Sequence, residues 1–355
     1  MKTLLRGGLV VSGGEVRQAD VLLEKGQIAA VGSQLPSEDA HIVDCTGKLL
    51  FPGFIDGHTH FDLPVAGTIT ADDFATGSRA ALRGGTTMVV DFSAPDKGET
   101  LHHGLDLWRQ KAEGKAACDY GFHMTIDDWN DGISREIGEM VELGIPTFKM
   151  YMTYPAMMIP EGDMYNALLR LKEAGGIAGV HCENSGIIDV LITKAKAEGR
   201  LSPASHPRTR PAPLEAGAIS HLLRMAQLAD TPVIIVHLST AAGLEEVRAA
   251  RRRGQTVYVE TCPHYLLLED SVYDAPEYRE AAKFVCAPPI RKKEDQEALW
   301  EALRNGEIQT VATDHCSFTL AQKDMGRADF TKIPGGLPGV ETRGVLLYTA
   351  GVAAG

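Results

Sequence analysis

The chain has 355 residues, 44% of them hydrophobic and 23% charged, with a formal net charge of −12. This length supports a full-sized core in one or two domains, and the composition excludes a largely disordered chain. The acidic balance disfavours nucleic acid and anionic membranes as partners, whose phosphates would be repelled.

The N-terminus, MKTLLRGGLVVSGGEVRQAD, opens like a secretory signal, but Arg6 and two glycines interrupt it before an apolar core develops. No run approaches the roughly 18 apolar residues of a membrane helix. Cys45, Cys118, Cys182, Cys262, Cys286 and Cys316 are scattered without a Cys-x-x-Cys pair, which reads as free thiols in a reducing compartment. The expectation is a soluble, cytoplasmic protein.

Residues 1–52 carry short apolar runs (LLRGGLVVSGG, EVRQADVLLEKGQIAAVGS, HIVDCTGKLLFPG) separated by glycines and polar turns. That pattern predicts small antiparallel strands, with Glu24-Lys25-Gly26-Gln27 as a hairpin turn, in one sheet layer of a small β domain. From Gly53 the rhythm changes. Eight apolar, β-branched runs follow: 54–60, 86–92, 119–126, 147–153, 177–183, 233–239, 256–262 and 310–315. Helical stretches ending at glycine lie between several of them: DDFATGSRAALRGG, GDMYNALLRLKEAGG, LEEVRAARRRG and DQEALWEALRNG. Strands alternating with helices imply parallel βαβ units, and eight units predict a closed (β/α)8 TIM barrel over residues 53–355. An open doubly wound sheet is the runner-up, and no Gly-x-Gly-x-x-Gly follows its first strand. The basic run RAARRRG, 248–254, reads as the C-terminal end of a solvated helix.

Barrel enzymes place their chemistry at the C-terminal ends of the strands. There the sequence puts His58 and His60, Lys149, His181, His237 and Asp314. His58 and His60 alternate onto one side of the first strand. Each residue alone has a plainer role: a hydrogen-bonded core histidine, a lysine reaching solvent, an aspartate capping a helix. Together they compose a binuclear metal site of nitrogen and oxygen ligands. A lysine in a dry, electropositive site loses its proton, and the free amine can add carbon dioxide. The resulting carbamate is a two-oxygen anion able to bridge two metals.

These residues, with FPGFIDGHTHFD, GGTTMVVDF, FKMYMTY, VHCEN, IIVHLS, ETCPHYLLL, APPIR, VATDHC and IPGGLPGVETR, resemble the cyclic amidohydrolases of the dihydropyrimidinase and D-hydantoinase branch. The resemblance spans essentially the whole chain. It implies that His58, His60 and Asp314 hold the more buried metal and His181 and His237 the second. Lys149, carboxylated on its amine, bridges the two, and zinc is the expected metal. It implies that Tyr154 hydrogen-bonds the substrate and its oxyanion, and that Asp314 also moves the proton to the departing ring nitrogen. The implied reaction opens dihydropyrimidines or 5-substituted hydantoins to N-carbamoyl amino acids. The family holds the ureide ring largely through backbone groups at two positions, here Ala287 and Gly335, where many members carry serine and asparagine. Leu63, with Val65, Tyr151, Met157, Met158 and Ile159, is expected to line a pocket for the ring substituent. Methionine suits such an adaptable wall.

Three rivals are weighed. A dihydroorotase would carry arginine where this chain has Asp62. An allantoinase shares the metal pattern. A non-catalytic scaffold relative would have lost metal ligands, and all six positions are intact here. The resemblance also implies a homo-tetramer or dimer. It further implies that family members continue beyond LLYTAGVAAG with residues completing a β-sandwich begun by 1–52.

Overall fold

The computed structural model describes residues 2–354 and divides the chain into two compact units, 1–54 and 55–355. The first is a five-stranded sheet. Strand Lys2–Ser12 pairs antiparallel with Glu15–Glu24, which pairs antiparallel with Gln27–Gly32. Both turns have two consecutive residues at positive φ: Gly13 and Gly14 at 62° and 81°, Lys25 and Gly26 at 54° and 78°. Such backbones match the twist of two-residue hairpins, so the expected Glu24–Gln27 turn is present. Strands Ala40–Asp44 and Leu49–Leu50, however, run parallel to Lys2–Ser12 rather than antiparallel. Residues 33–39 carry the chain across to the free edge of the first strand. Apolar alternation sets which face a strand buries, not its direction.

The second unit is the barrel. Its strands are Phe54–Thr59, Thr86–Ser93, Asp119–Thr125, Thr147–Tyr151, Ile177–His181, Val233–Ile235, Val257–Thr261 and Thr310–Val311. Successive strands are parallel neighbours in one eight-stranded order. The ring closes through a parallel bridge between Thr59 and His315, where the His60 N–H donates to the His315 carbonyl at 2.8 Å.

Several strands stop short of their expected ends, and two do so by four residues. Runs 233–239 and 310–315 were expected to stay extended through His237 and Asp314, but these residues sit at φ 39° and 49°. The chain leaves the sheet just before each, which turns the side chain inward instead of continuing the pleat. Within Thr147–Tyr151, Phe148 and Met150 pack into the main core while Lys149 and Tyr151 take the other face, with the Lys149 Nζ 5.1 Å from the Tyr151 ring centre.

The four expected helices are Phe74–Arg83, Glu161–Ala174, Ala241–Arg252 and Lys293–Arg304. Asp73 closes a capping box with Thr76 at the first, and Gly175 ends the second in the left-handed conformation. The basic run is bound into the scaffold. Arg248 forks onto Glu307 at 2.6 and 2.7 Å, and Arg251 donates to the Val257 and Glu307 carbonyls. All six cysteines are free thiols, five of them buried. Among the described residues no helix is long and apolar enough to cross a membrane.

Candidate metal centre

His58 and His60 come from the end of the first barrel strand, and Asp314 from just past the eighth. Ligand atoms of these three lie within 4.8 Å of one another. The Asp314 Oδ1 is 3.2 Å from the His58 Nε2 and 3.1 Å from the His60 Nε2. From the fifth and sixth strands, His181 and His237 bring Nδ1 and Nε2 to 3.1 Å of each other. His58, His181 and His237 are 1–2% exposed, as is Lys149 at 1%. Asp314 and His237 hold φ 49° and 39°. Non-glycine residues there store strain, which concentrates at functional sites.

Carboxylates behind the ring set the tautomers. The His58 Nδ1 lies 2.7 Å from the Glu260 Oε1. With Nδ1 tied to Glu260, Nε2 is the nitrogen left facing inward toward Asp314. On the other side the His181 Nε2 lies 2.9 Å from Glu183, freeing Nδ1 toward His237. An imidazole whose outer nitrogen is tied to a carboxylate and whose other nitrogen faces inward is the arrangement that metal-binding histidines use.

The electrostatics agree. Burial pushes His60 down to about 4 and also lowers His181 and His237, so all three offer neutral lone pairs. Burial opposes charge on His58 too, yet Glu260 and Asp314 lift it to about 9. Burial likewise works against the Asp314 carboxylate, but His58 and His60 hold it well below the usual carboxylate range. Burial pushes Lys149 down to about 8, against the pull of Asp314 and Glu260. A population of free amine then exists near neutral pH. The donor set fits divalent metal, with imidazole nitrogens and a carboxylate and no thiolate.

Tyr154 leaves the fourth strand at φ 66°, with its ring centre 5.2 Å from that of His181. Its carbonyl accepts from the Met157 and Met158 N–H groups, both at 2.8 Å, and the Lys97 Nζ braces the Pro155 and Met158 carbonyls. Burial raises the phenol above its ordinary range, so it keeps its proton and can donate. Segments 285–287 and 335–337 lie side by side. The Gly336 N–H donates to the Val285 carbonyl at 2.9 Å, which brings Ala287 and Gly335 into one neighbourhood.

The expected substituent pocket is only partly assembled. Tyr151 stacks beside His181 at 5.9 Å. Leu63 packs on the cluster of Phe61 and Phe74, and Ile159, 5% exposed, belongs to the main core. Gly335 is exposed, its φ is not positive, and a Cβ there would meet only the Cys286 Cα at 3.9 Å. Gly335→Asn should therefore fold normally, with unfolding free energy within about 0.5 kcal/mol of the parent in urea titrations.

Sequence reasoning missed the residues behind the ligands. Glu183 pairs with Arg210 at 2.5 Å as well as with His181. Asp91 accepts from the Thr59 Oγ1, the Phe61 N–H and the Trp108 Nε1, fixing the strand that carries both first histidines. Glu183, Glu260 and Asp91 do stand inside three of the quoted motifs. Arg210 has no local signature.

A model of the amidohydrolase family matches residues 49–333. A D-hydantoinase of Streptomyces coelicolor is 44% identical over 98% of this chain and 76% of its own length. A D-phenylhydantoinase of Escherichia coli is 41% identical over 100% of this chain and 77% of its own length. The crystal structure of a dihydropyrimidinase from Brevibacillus agri superposes with a TM-score of 0.98 at 43% identity, over all of this chain and 77% of that one. The chain thus spans about three quarters of the relatives' length. With four histidines and an aspartate gathered at the strand ends, the chain belongs to the amidohydrolase family of metal-dependent hydrolases, in the dihydropyrimidinase and D-hydantoinase branch.

Proposed function

We propose that this chain opens the ring of a cyclic ureide, a dihydropyrimidine or a 5-substituted hydantoin, to an N-carbamoyl amino acid. The observation that carries this reading is the pair of half-sites: His58, His60 and Asp314 within 4.8 Å, and His181 with His237 at 3.1 Å. We assign His58, His60 and Asp314 to one metal, His181 and His237 to a second, and Lys149, as its carbamate, to both. Zinc suits these ligands. When bound, the divalent ions supply a nucleophile from water at neutral pH and polarise the ring carbonyl. Asp314 sits between two imidazoles, placed to take a proton from the attacking water and hand it to the departing ring nitrogen. Tyr154 donates to the developing oxyanion. Peptide groups at Ala287 and Gly335 grip the ureide. We read the active form as a homo-oligomer, which light scattering tests.

The deciding experiment is a substrate panel on metal-replete protein: dihydrouracil, a phenyl-substituted hydantoin, allantoin and dihydroorotate. Turnover of the first two, abolished by a chelator and restored by zinc, is expected. Turnover of allantoin or dihydroorotate alone would replace this reading with one of its rivals. Within the same assay Tyr154→Phe should lower kcat by about 10²–10³ with KM nearly unchanged, the cost of removing one oxyanion donor.

A further inference from the structure

Lys323 is the least expected charge in the molecule. It closes the short helix Leu320–Lys323, is 2% exposed, and meets no carboxylate among the described residues. Its Nζ donates to three main-chain carbonyls: Val285 at 2.9 Å, Pro334 at 2.7 Å and Gly336 at 2.9 Å. An ammonium has three N–H bonds, and all three are used. The acceptors belong to the two segments that carry Ala287 and Gly335. Burying a cation among neutral acceptors is an expensive way to brace a loop. The arrangement makes sense if the direction of those peptide groups matters.

It does matter, because a trans peptide points its C=O and N–H in opposite directions. Anchoring the Pro334 carbonyl on Lys323 aims the Gly335 N–H away from the lysine. The Cys286 carbonyl is held in the same manner by the His206 Nε2 at 2.7 Å, which aims the Ala287 N–H. Neither the Gly335 N–H nor the Ala287 N–H has a hydrogen-bond partner among the described residues. The lysine is itself fixed from behind, because its helix carries a Thr319–Gln322 capping box and the Tyr278 hydroxyl donates to the Lys323 carbonyl at 2.7 Å.

We propose that Lys323 is a positioning residue for substrate: by clamping the Val285, Pro334 and Gly336 carbonyls, it orients the free peptide groups beside them to receive the ureide ring. The inference rests on the reading of Ala287 and Gly335 as ureide contacts. Lys323 touches neither substrate nor metal ligands, so its loss affects binding of ground state and transition state alike. Such a loss raises KM and spares kcat.

The test compares wild type, Lys323→Met and Gly335→Pro as metal-loaded full-length chains on a phenyl-substituted hydantoin. Lys323→Met should raise KM by about tenfold or more, with kcat changed less than about threefold and metal content unchanged. Gly335→Pro, which deletes the aimed N–H, should raise KM similarly. Lys323→Gln keeps part of the donor set on a shorter, uncharged side chain. It should give an intermediate KM, and it decides the matter if Lys323→Met does not fold. A purely structural lysine predicts a lower Tm with unchanged KM, and that result in a folded variant overturns the proposal. A raised KM in Gly335→Pro beside an unchanged KM in Lys323→Met overturns the lysine's role alone. An unchanged KM in Gly335→Pro overturns the contact reading beneath it.

Discussion

Lys149→Ala should reduce bound metal from about two ions per chain to one or fewer, and lower kcat/KM by about 10⁴ or more. Metal analysis and steady-state kinetics on one preparation check it. The alternative is that Lys149 is merely a buried lysine, and the two readings diverge on stability. Burial pushes Lys149 down to about 8, against Asp314 and Glu260, so in the metal-free protein its ammonium costs stability at pH 7. The sign follows from a folded value below the unfolded 10.5: the penalty is full below about 8 and disappears as pH rises to 10.5. Metal-free Lys149→Met should therefore melt above metal-free wild type at pH 7, while zinc should raise the Tm of wild type far more than that of the variant. A variant that keeps both metals and its activity would remove Lys149 from the centre. If the lysine carries a carbamate, labelled bicarbonate should give a carbamate carbon resonance in wild type that is absent from Lys149→Ala.

The candidate ligands that the structure brings together were legible in the sequence because they lie at places the fold dictates. His58, His60, His181 and His237 each end an apolar run, and parallel strands of a closed barrel must bring such ends together. The backbone that presents them was not legible. Asp314, His237 and Tyr154 adopt positive φ, a conformation uncommon for L-residues and not readable from the apolar pattern of a strand. Strand direction in the first unit was misread for a related reason, since alternation reports burial and not sense. The supporting shell was the least visible part. Glu260 reaches His58 across 202 positions, and Arg210 reaches Glu183 across 27. Pairs so distant in the chain leave no spacing pattern, although their effect on the ligand tautomers is direct.

Glu183→Gln tests that supporting shell. Glu183 is completely buried between a cation and a candidate ligand histidine: Arg210 Nη1 at 2.5 Å and His181 Nε2 at 2.9 Å. Burial opposes its charge, but Arg210 and His181 prevail and hold it at about 2. Its folded value is thus depressed below 4.5. The stability it contributes is complete above pH 4.5 and is lost as pH falls toward about 2. The amide of glutamine cannot neutralise Arg210, which would remain buried and unpaired. Breaking a buried pair from one side costs about 3–5 kcal/mol, to be read from urea unfolding at neutral pH. The wild type should lose part of its advantage over the variant between pH 4.5 and 2. The second effect falls on the metal. Without a carboxylate to hold the proton on Nε2, His181 no longer has a fixed lone pair at Nδ1, and metal affinity should fall about 10–100-fold in competition with a chelator. Removing both charges, with Glu183→Gln and Arg210→Met together, should recover much of the stability and none of the metal affinity. That separation would show that the same carboxylate serves the fold through Arg210 and the chemistry through His181. Full recovery of metal binding in the double variant would mean instead that Glu183 acts only by keeping Arg210 in place.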